Sequence, residues 1–200
     1  MNLDEVIKKR ASIRKYLEKP VTLDKIALLL EAARTAPNSG NLQDFRFVVI
    51  NNKAIKNQIT ETSLRQFWMN SAPVFIVVCS DLNKLETYYK ERSKEYGLQN
   101  ASAAAMLISL KAVDLGLSTC WVNVFDKNAI SRILRLKDKV IPHIVLTLGY
   151  EENNQSKKKF SKIPLSKITF FNSYGTNIIN VKVWAKEKYL DKIKKLFTKK

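Results

Sequence analysis

The stretch "PVFIVVCS" (residues 73–80) is apolar at nearly every position. A continuous apolar run of this length predicts a β-strand that is covered on both faces. The stretch "LQNASAAAMLISLKAVDLGL" (98–117) predicts the longest helix of the chain, and its small residues at 101–105 let another helix approach closely. We therefore expect a buried central strand with helices packed around it, and the long helix in the core.

Further strand and helix patterns alternate around this centre. The second predicted helix covers residues 22–36, with Thr22 as its N-cap and with Leu23, Ile26, Ala27 and Leu30 on one face. Together the segments predict an α+β domain with a mixed sheet of four to five strands flanked by helices. The other predicted strands are 45–51, 118–124 and 141–150, and the other predicted helices are 2–10, 53–67 and 126–136, the last capped by Asp126.

The chain has 200 residues and a net charge of +17, and its positive charge is concentrated at the C-terminal end. Residues 151–200 hold 13 lysines and four acidic residues. Their net charge of +9, from 13 − 4, is over half of the net charge of the chain. The stretch "VWAKEKYLDKIKKLFTKK" (183–200) has apolar residues at helical spacing. We expect a domain over residues 1–175 and an amphipathic extension over 176–200 that docks on its own domain or on a partner subunit. A basic helix on a membrane surface is the alternative.

Several classes of chemistry lack the residues that they need. Five glycines do not build a dinucleotide-binding or phosphate-binding glycine loop, and the single histidine, His143, has no second histidine for a metal pair. Cys79 and Cys120 lie in apolar strand-like segments, which predicts buried, reduced thiols. The longest apolar run, residues 103–110, is too short to span a membrane, so we expect a soluble, cytoplasmic protein with no membrane partner.

The stretch "IKKRASIRKY" (7–16) places Arg10, Ser12 and Arg14 two residues apart. In a helix or in an extended segment, both guanidinium groups come to the same side of the chain. Two forked cationic donors and a hydroxyl suit a phosphate group. Basic residues at the end of a helix also complement the helix dipole, which is the simpler interpretation.

A second polar stretch lies between an apolar helix and a strand, in "AARTAPNSGNLQDFRFVVI" (32–50). Its amide side chains and free backbone groups can bind the edge of a polar heterocycle and the hydroxyl groups of a sugar chain. The alternative is that Asn38 and Ser39 simply form a turn.

Together the two stretches resemble the FMN-dependent nitroreductase family. Short members begin with R-x-S-x-R-x-[FY] and continue with a motif like A-P-S-x-x-N-x-Q-P-W before the first strand. "NSAPVFIVV", "IPHIVLTLGY" and "KIPLSKITF" follow in the matching order, so the resemblance covers most of the chain. It implies a nitroreductase-like α+β fold and a homodimer with FMN sites at its interface.

The resemblance also implies which residues bind FMN. Arg10, Ser12 and Arg14 match positions that hold the phosphate and the ribityl chain, and Lys162 matches a second phosphate-binding cation, usually arginine. Pro37, Asn38 and Ser39 match a segment that in the family reaches the flavin from the other subunit, and Asn41 lies close to it. Gln66 matches an amide that contacts the isoalloxazine or ribityl edge. The last implied positions are at a strand end that supplies a backbone N–H beside the reactive ring nitrogen, Trp121, Val122 and Asn123.

Three positions depart from the family pattern in ways that bear on substrate choice. Asp44 stands where proline is usual, Phe45 where tryptophan is usual, and Val124 where glycine is common. Trp121 is equally well explained as a core residue.

By resemblance, the expected function is transfer of hydride from NADH or NADPH through FMN to an electron acceptor such as a nitroaromatic compound or a quinone. No acid–base side chain is needed, so we assign no catalytic residue. The alternatives are a protein that stores or senses FMN without catalysis, and a basic protein that binds nucleic acid. The last is disfavoured because the basic residues concentrate in the C-terminal extension, and we do not expect nucleic acid as a partner.

Overall fold

The computed structural model describes residues 1–152 and 162–175. The chain divides into two compact units after residue 155. In the first unit, strands β1 (Phe45–Ile50), β2 (Val74–Asp81), β3 (Ser118–Val122) and β4 (Val140–Gly149) form a sheet in the order β1-β2-β4-β3. The helices are α1 (Leu3–Lys9), α2 (Leu23–Arg34), α3 (Lys53–Thr62), α4 (Leu82–Tyr89), α5 (Ser93–Asp114) and α6 (Lys127–Ile133) in the first unit and α7 (Leu165–Ile168) in the second.

The predicted α+β fold with a four-stranded sheet is confirmed. Neighbouring strands of this sheet pair antiparallel. Within residues 1–152 and 162–175, the parallel pairing that a mixed sheet requires is limited to one bridge between Ser12 and Thr119. Strand β2 is buried at every residue except the last, as the apolar run predicted. It lies between β1 and β4, where both of its faces can be covered by helices.

The two faces of the sheet pack against different helices. On one face, Ile76 of β2 belongs to the same buried cluster as Leu29 of α2 and Ile108 of α5. On the other face, Phe75 clusters with Ile59 of α3 and Ile130 of α6. The alternating side chains of one central strand therefore hold two helical layers together.

The buried face of α2 agrees only partly with the predicted one. Ile26 is buried and Leu30 packs half-buried against the core, as predicted, whereas Ala27 is exposed. Leu23 is 80% exposed, and the buried residues are Ile26, Leu29 and Ala33. Residues 26, 29 and 33 form one stripe at helical spacing, whereas residues 23, 27 and 30 form the neighbouring stripe, turned by about 100°. Thr22 is the N-cap as predicted, although its side chain makes no capping hydrogen bond.

Helix α5 lies unusually close to the end of β2. A Cβ atom built on Gly97 would lie 2.6 Å from the Ser80 Oγ atom, so the helix approaches because this position has no side chain. The same Ser80 hydroxyl lies 2.7 Å from His143 Nε2, and both residues are buried. Glycine at position 97 thus makes room for a buried hydrogen bond.

Both cysteines are buried, free thiols, as predicted. Burial raises the pKa of the Cys79 thiol to about 12. No helix in the described part of the chain is long and apolar enough to cross a membrane. The predicted amphipathic extension, residues 176–200, lies outside the described residues.

Candidate functional site

The segment that carries Arg10, Ser12 and Arg14 is extended. It lies along the edge of β3 that faces away from β4. The Ile13 backbone N–H donates to the Thr119 carbonyl at 3.1 Å, next to the bridge between Ser12 and Thr119. Ile13 is buried, whereas Ser12 and Arg14 are exposed. The backbone is therefore fixed, and the polar side chains alternate outward.

Tyr16 anchors this segment to the sheet. Its buried hydroxyl lies 2.6 Å from the Ile13 carbonyl oxygen, to which it donates, and 2.7 Å from the Thr147 hydroxyl. Burial raises the pKa of the Tyr16 phenol above its ordinary value, so the hydroxyl stays protonated. The anchor matters because it sets where the two arginines stand.

The three predicted phosphate-binding residues all act on the thiol of Cys120, the residue that follows Thr119 in β3. Burial raises the pKa of that thiol, and the positive charge of Arg14, a side-chain hydrogen bond with Ser12 and the positive charge of Arg10 lower it. The guanidinium carbon of Arg14 also lies 5.5 Å from the centre of the Trp68 ring. The site is a patch with two cations and a hydroxyl at one sheet edge.

Gln66 and the end of β3 belong to the surroundings of this patch. Gln66 immediately precedes the 3-10 helix Phe67–Ser71, which carries Trp68, and its amide donates to the Ser63 carbonyl at 3.0 Å. Asn123 follows β3 and is exposed. Gln66 therefore lies two residues from Trp68, whose ring is beside Arg14.

Trp121 and Val122 point to opposite faces of the sheet. Val122 is buried in the cluster with α3 and α6, and Trp121 packs, half-buried, against the cluster with α2 and α5. The Trp121 indole Nε1 atom is buried and has no hydrogen-bond partner among the described residues. The ring therefore contributes to the core, which was one of the two interpretations of this residue.

The polar loop that contains Pro37 forms a tight turn. The Asn38 side-chain oxygen accepts from the Gln43 backbone N–H at 2.8 Å, and its amide nitrogen donates to the Ala36 carbonyl. Pro37 and Asn41 are exposed, whereas Ser39 is half-buried. The turn interpretation is thus correct for the backbone, and the exposed residues remain available to a ligand.

Asn100 of α5 holds this loop and could not be selected from the sequence. Its side-chain oxygen accepts from the Ser39 backbone N–H at 3.1 Å, and its amide donates to Asp44 at 2.7 Å. A single asparagine within a long helix resembles a surface residue until its distant partners are known.

One chain does not bring the loop and the arginine patch together. The loop leads into β1, which lies three strand spacings from β3, or about 14 Å. Phe45 aligns through Ser80 with Ile141, and Thr119 aligns with Leu148, seven residues further along β4, or about 23 Å. The two groups therefore lie at diagonally opposite corners of the sheet. Lys162 is an exposed residue of the second unit.

Comparison with known proteins gives one consistent result. The model of the nitroreductase family matches residues 7–68 and 58–150. A putative NADH dehydrogenase/NAD(P)H nitroreductase of Methanothermobacter thermautotrophicus is 32% identical over 158 residues, which cover 77% of this chain and 80% of that protein. An FMN reductase (NAD(P)H) of Bacillus subtilis is 29% identical over 173 residues, which cover 78% of this chain and 70% of that protein.

Solved structures show the same fold. A nitroreductase family protein of Clostridium difficile superposes with a TM-score of 0.75 at 31% identity, covering 86% of this chain and 99% of that one. NfrA2 of B. megaterium superposes with a TM-score of 0.80 at 22% identity, covering 89% of this chain and 77% of that one.

Proposed function

The chain belongs to the nitroreductase family, and from this premise we propose that it is an NAD(P)H-dependent flavin oxidoreductase with FMN as its cofactor. The relatives named as NAD(P)H nitroreductase and FMN reductase support this activity. We further propose that the electron acceptor is a small molecule such as a nitroaromatic compound or a quinone.

The observation that carries the proposal is the patch of Arg10, Ser12 and Arg14. Charge-assisted donors of this kind suit a phosphate group, and a locked backbone presents them at one sheet edge. The donor set therefore fits the phosphate of FMN. The role of Lys162 stays a prediction from the family resemblance alone.

The proposed roles of the protein are binding and orientation. Gln66 would hydrogen-bond the isoalloxazine or ribityl edge of FMN. The backbone of Val122 and Asn123, at the end of β3, would supply an N–H beside the reactive ring nitrogen. FMN, when bound, supplies the hydride chemistry. The residues of the chain determine where the nicotinamide and the acceptor can bind. No side chain needs to transfer a proton.

The separation of the two residue groups supports a homodimer. Pro37, Asn38, Ser39 and Asn41 lie at the opposite corner of the sheet from the arginine patch. We propose that this loop completes the FMN site of the second subunit, so that each site is built from two chains. A monomer would then hold the phosphate end of FMN and lack part of the surroundings of the ring.

Absorbance spectroscopy tests the function. The purified protein should be yellow and release FMN on denaturation, and NADH or NADPH should bleach the colour under anaerobic conditions. Addition of a quinone or nitroaromatic compound should then restore the colour. A yellow protein that neither nucleotide bleaches would favour FMN storage or sensing. A colourless protein that does not bind added FMN would refute the proposal.

A further inference from the structure

One asparagine ties the Pro37–Asn41 loop and the residue that precedes β1 to the core. Asn100 lies on α5 and is 4% exposed. Its Oδ1 atom accepts from the Ser39 backbone N–H at 3.1 Å and from the Ser39 hydroxyl at 3.2 Å. Its Nδ2 atom donates to Asp44 Oδ1 at 2.7 Å, where the loop enters β1. A single side chain thus binds the first residue of the turn and the residue that precedes β1.

The loop needs such ties because its backbone is unfavourable. Gly40 and two other residues, Asn41 and Gln43, have φ angles between 51° and 59°. The left-handed region is disfavoured for residues with a Cβ atom, and it persists where the surrounding structure determines it. The Tyr89 hydroxyl also closes on the loop, since it lies 2.7 Å from the position of a Cβ atom built on Gly40.

Asp44 determines which way the Asn100 amide points. Asp44 is 2% exposed, its Oδ1 atom accepts from Asn100, and its Oδ2 atom has no hydrogen-bond partner among the described residues. A carboxylate accepts only, so it selects the amide nitrogen of Asn100 as its neighbour. The amide oxygen is then turned toward Ser39, whose N–H and hydroxyl need an acceptor.

We propose that Asp44 and Asn100 are positioning residues that hold the Pro37–Asn41 loop in the shape with which it contacts FMN. This inference rests on the proposed function. Asp44 sets the orientation of the Asn100 amide, and the amide fixes Ser39. Ser39 in turn fixes the positions of the exposed loop residues Pro37 and Asn41. Preorganisation of a binding loop raises affinity because less conformational freedom is lost when the ligand binds.

The test compares three variants with the wild-type protein. Asn100→Leu removes both hydrogen-bonding groups, and Asp44→Asn keeps the shape but lets the Asn100 amide turn over. Asn52→Ala is the matched control, because Asn52 caps α3 with a hydrogen bond to the Ile55 N–H and does not contact the loop. FMN affinity is measured by quenching of flavin fluorescence, and hydrogen exchange of the Ser39 amide is measured by NMR.

Asn100→Leu should raise the Kd for FMN about tenfold or more and speed exchange at Ser39. Asp44→Asn should have a smaller effect in the same direction, and it carries the test if Asn100→Leu does not fold. Asn52→Ala should lower the melting temperature and leave the Kd unchanged. Unchanged FMN affinity in both Asn100→Leu and Asp44→Asn would overturn the positioning role alone. A wild-type protein that binds no FMN would overturn the proposed function as well.

Discussion

The buried histidine makes the stability of this protein depend on pH in a calculable way. His143 is 5% exposed, its Nε2 atom is 2.7 Å from the Ser80 hydroxyl, and its Nδ1 atom has no hydrogen-bond partner in the described part of the chain. Burial, together with the positive charge of Lys127, lowers the pKa of His143 from 6.5 to about 4. Between about pH 4 and pH 6.5, the imidazole of His143 is therefore mostly neutral in the folded protein and mostly charged in the unfolded chain.

The magnitude follows from the two pKa values. Between pH 6.5 and pH 4 the unfolded state binds more protons, so stability falls as the pH falls through this range. Each unit of separation corresponds to about 1.4 kcal/mol. The contribution of His143 that is present above pH 6.5 is thus reduced by about 2 kcal/mol at pH 5 and by about 3 kcal/mol at pH 4.

Urea denaturation at pH 7 and pH 5 measures this loss in the wild-type protein and in His143→Gln, which keeps a polar side chain that does not titrate. The free energy of unfolding of the wild-type protein should fall by about 2 kcal/mol more than that of the variant. Other titrating groups, such as Asp44 and Asp81, act equally in both proteins and cancel in this difference. The chain has one histidine, so a single NMR resonance reports the pKa directly. Equal losses in the two proteins, or a measured pKa near 6.5, would refute the reasoning.

Four further outcomes are expected. Arg10→Ala and Arg14→Ala should each raise the Kd for FMN about tenfold to a hundredfold without unfolding the protein, because each removes a charge-assisted phosphate contact worth about 1.5–3 kcal/mol; flavin retention through dialysis equal to that of the wild-type protein would contradict this. Gly97→Ala should lower the free energy of unfolding in urea, although alanine favours helices, because the new Cβ would lie 2.6 Å from Ser80 Oγ. Sedimentation should show a dimer, and a monomer with full flavin occupancy would exclude the shared site. Deletion of residues 176–200 should lower the melting temperature, while salt titration of the intact chain should show little specific affinity for RNA; a truncated protein as stable as its parent would argue against a docked extension.

The central strand was predictable because its signal is local. The run at residues 73–79 consists of apolar side chains, and a strand with two covered faces needs little else. The register of a helix is harder to predict. Leu23 and Leu29 are equally apolar, and only the packing of α2 on α5 decides that the second is buried.

The site was predictable where a motif carries it, and less so where distant contacts do. The spacing of Arg10 and Arg14 fits a helix and an extended segment equally well. The structure selects the extended form through Tyr16, whose hydroxyl contacts Thr147, 131 residues away. Asn100 was missed because its partners are 56 and 61 residues away, and no local pattern shows that its amide is buried.

The position of the loop and the arginine patch at opposite corners of the sheet has a genetic consequence. In the proposed dimer, a chain with a defective patch and a chain with a defective loop are both inactive when each is paired with itself. A hybrid of the two chains combines both lesions in one site and leaves the other site intact. If equal amounts of the two chains exchange at random, about half of the dimers are hybrids, and each hybrid has one intact site of two. About a quarter of the wild-type activity would thus return from two inactive proteins. Two alleles that each inactivate the enzyme would then complement one another inside a single cell.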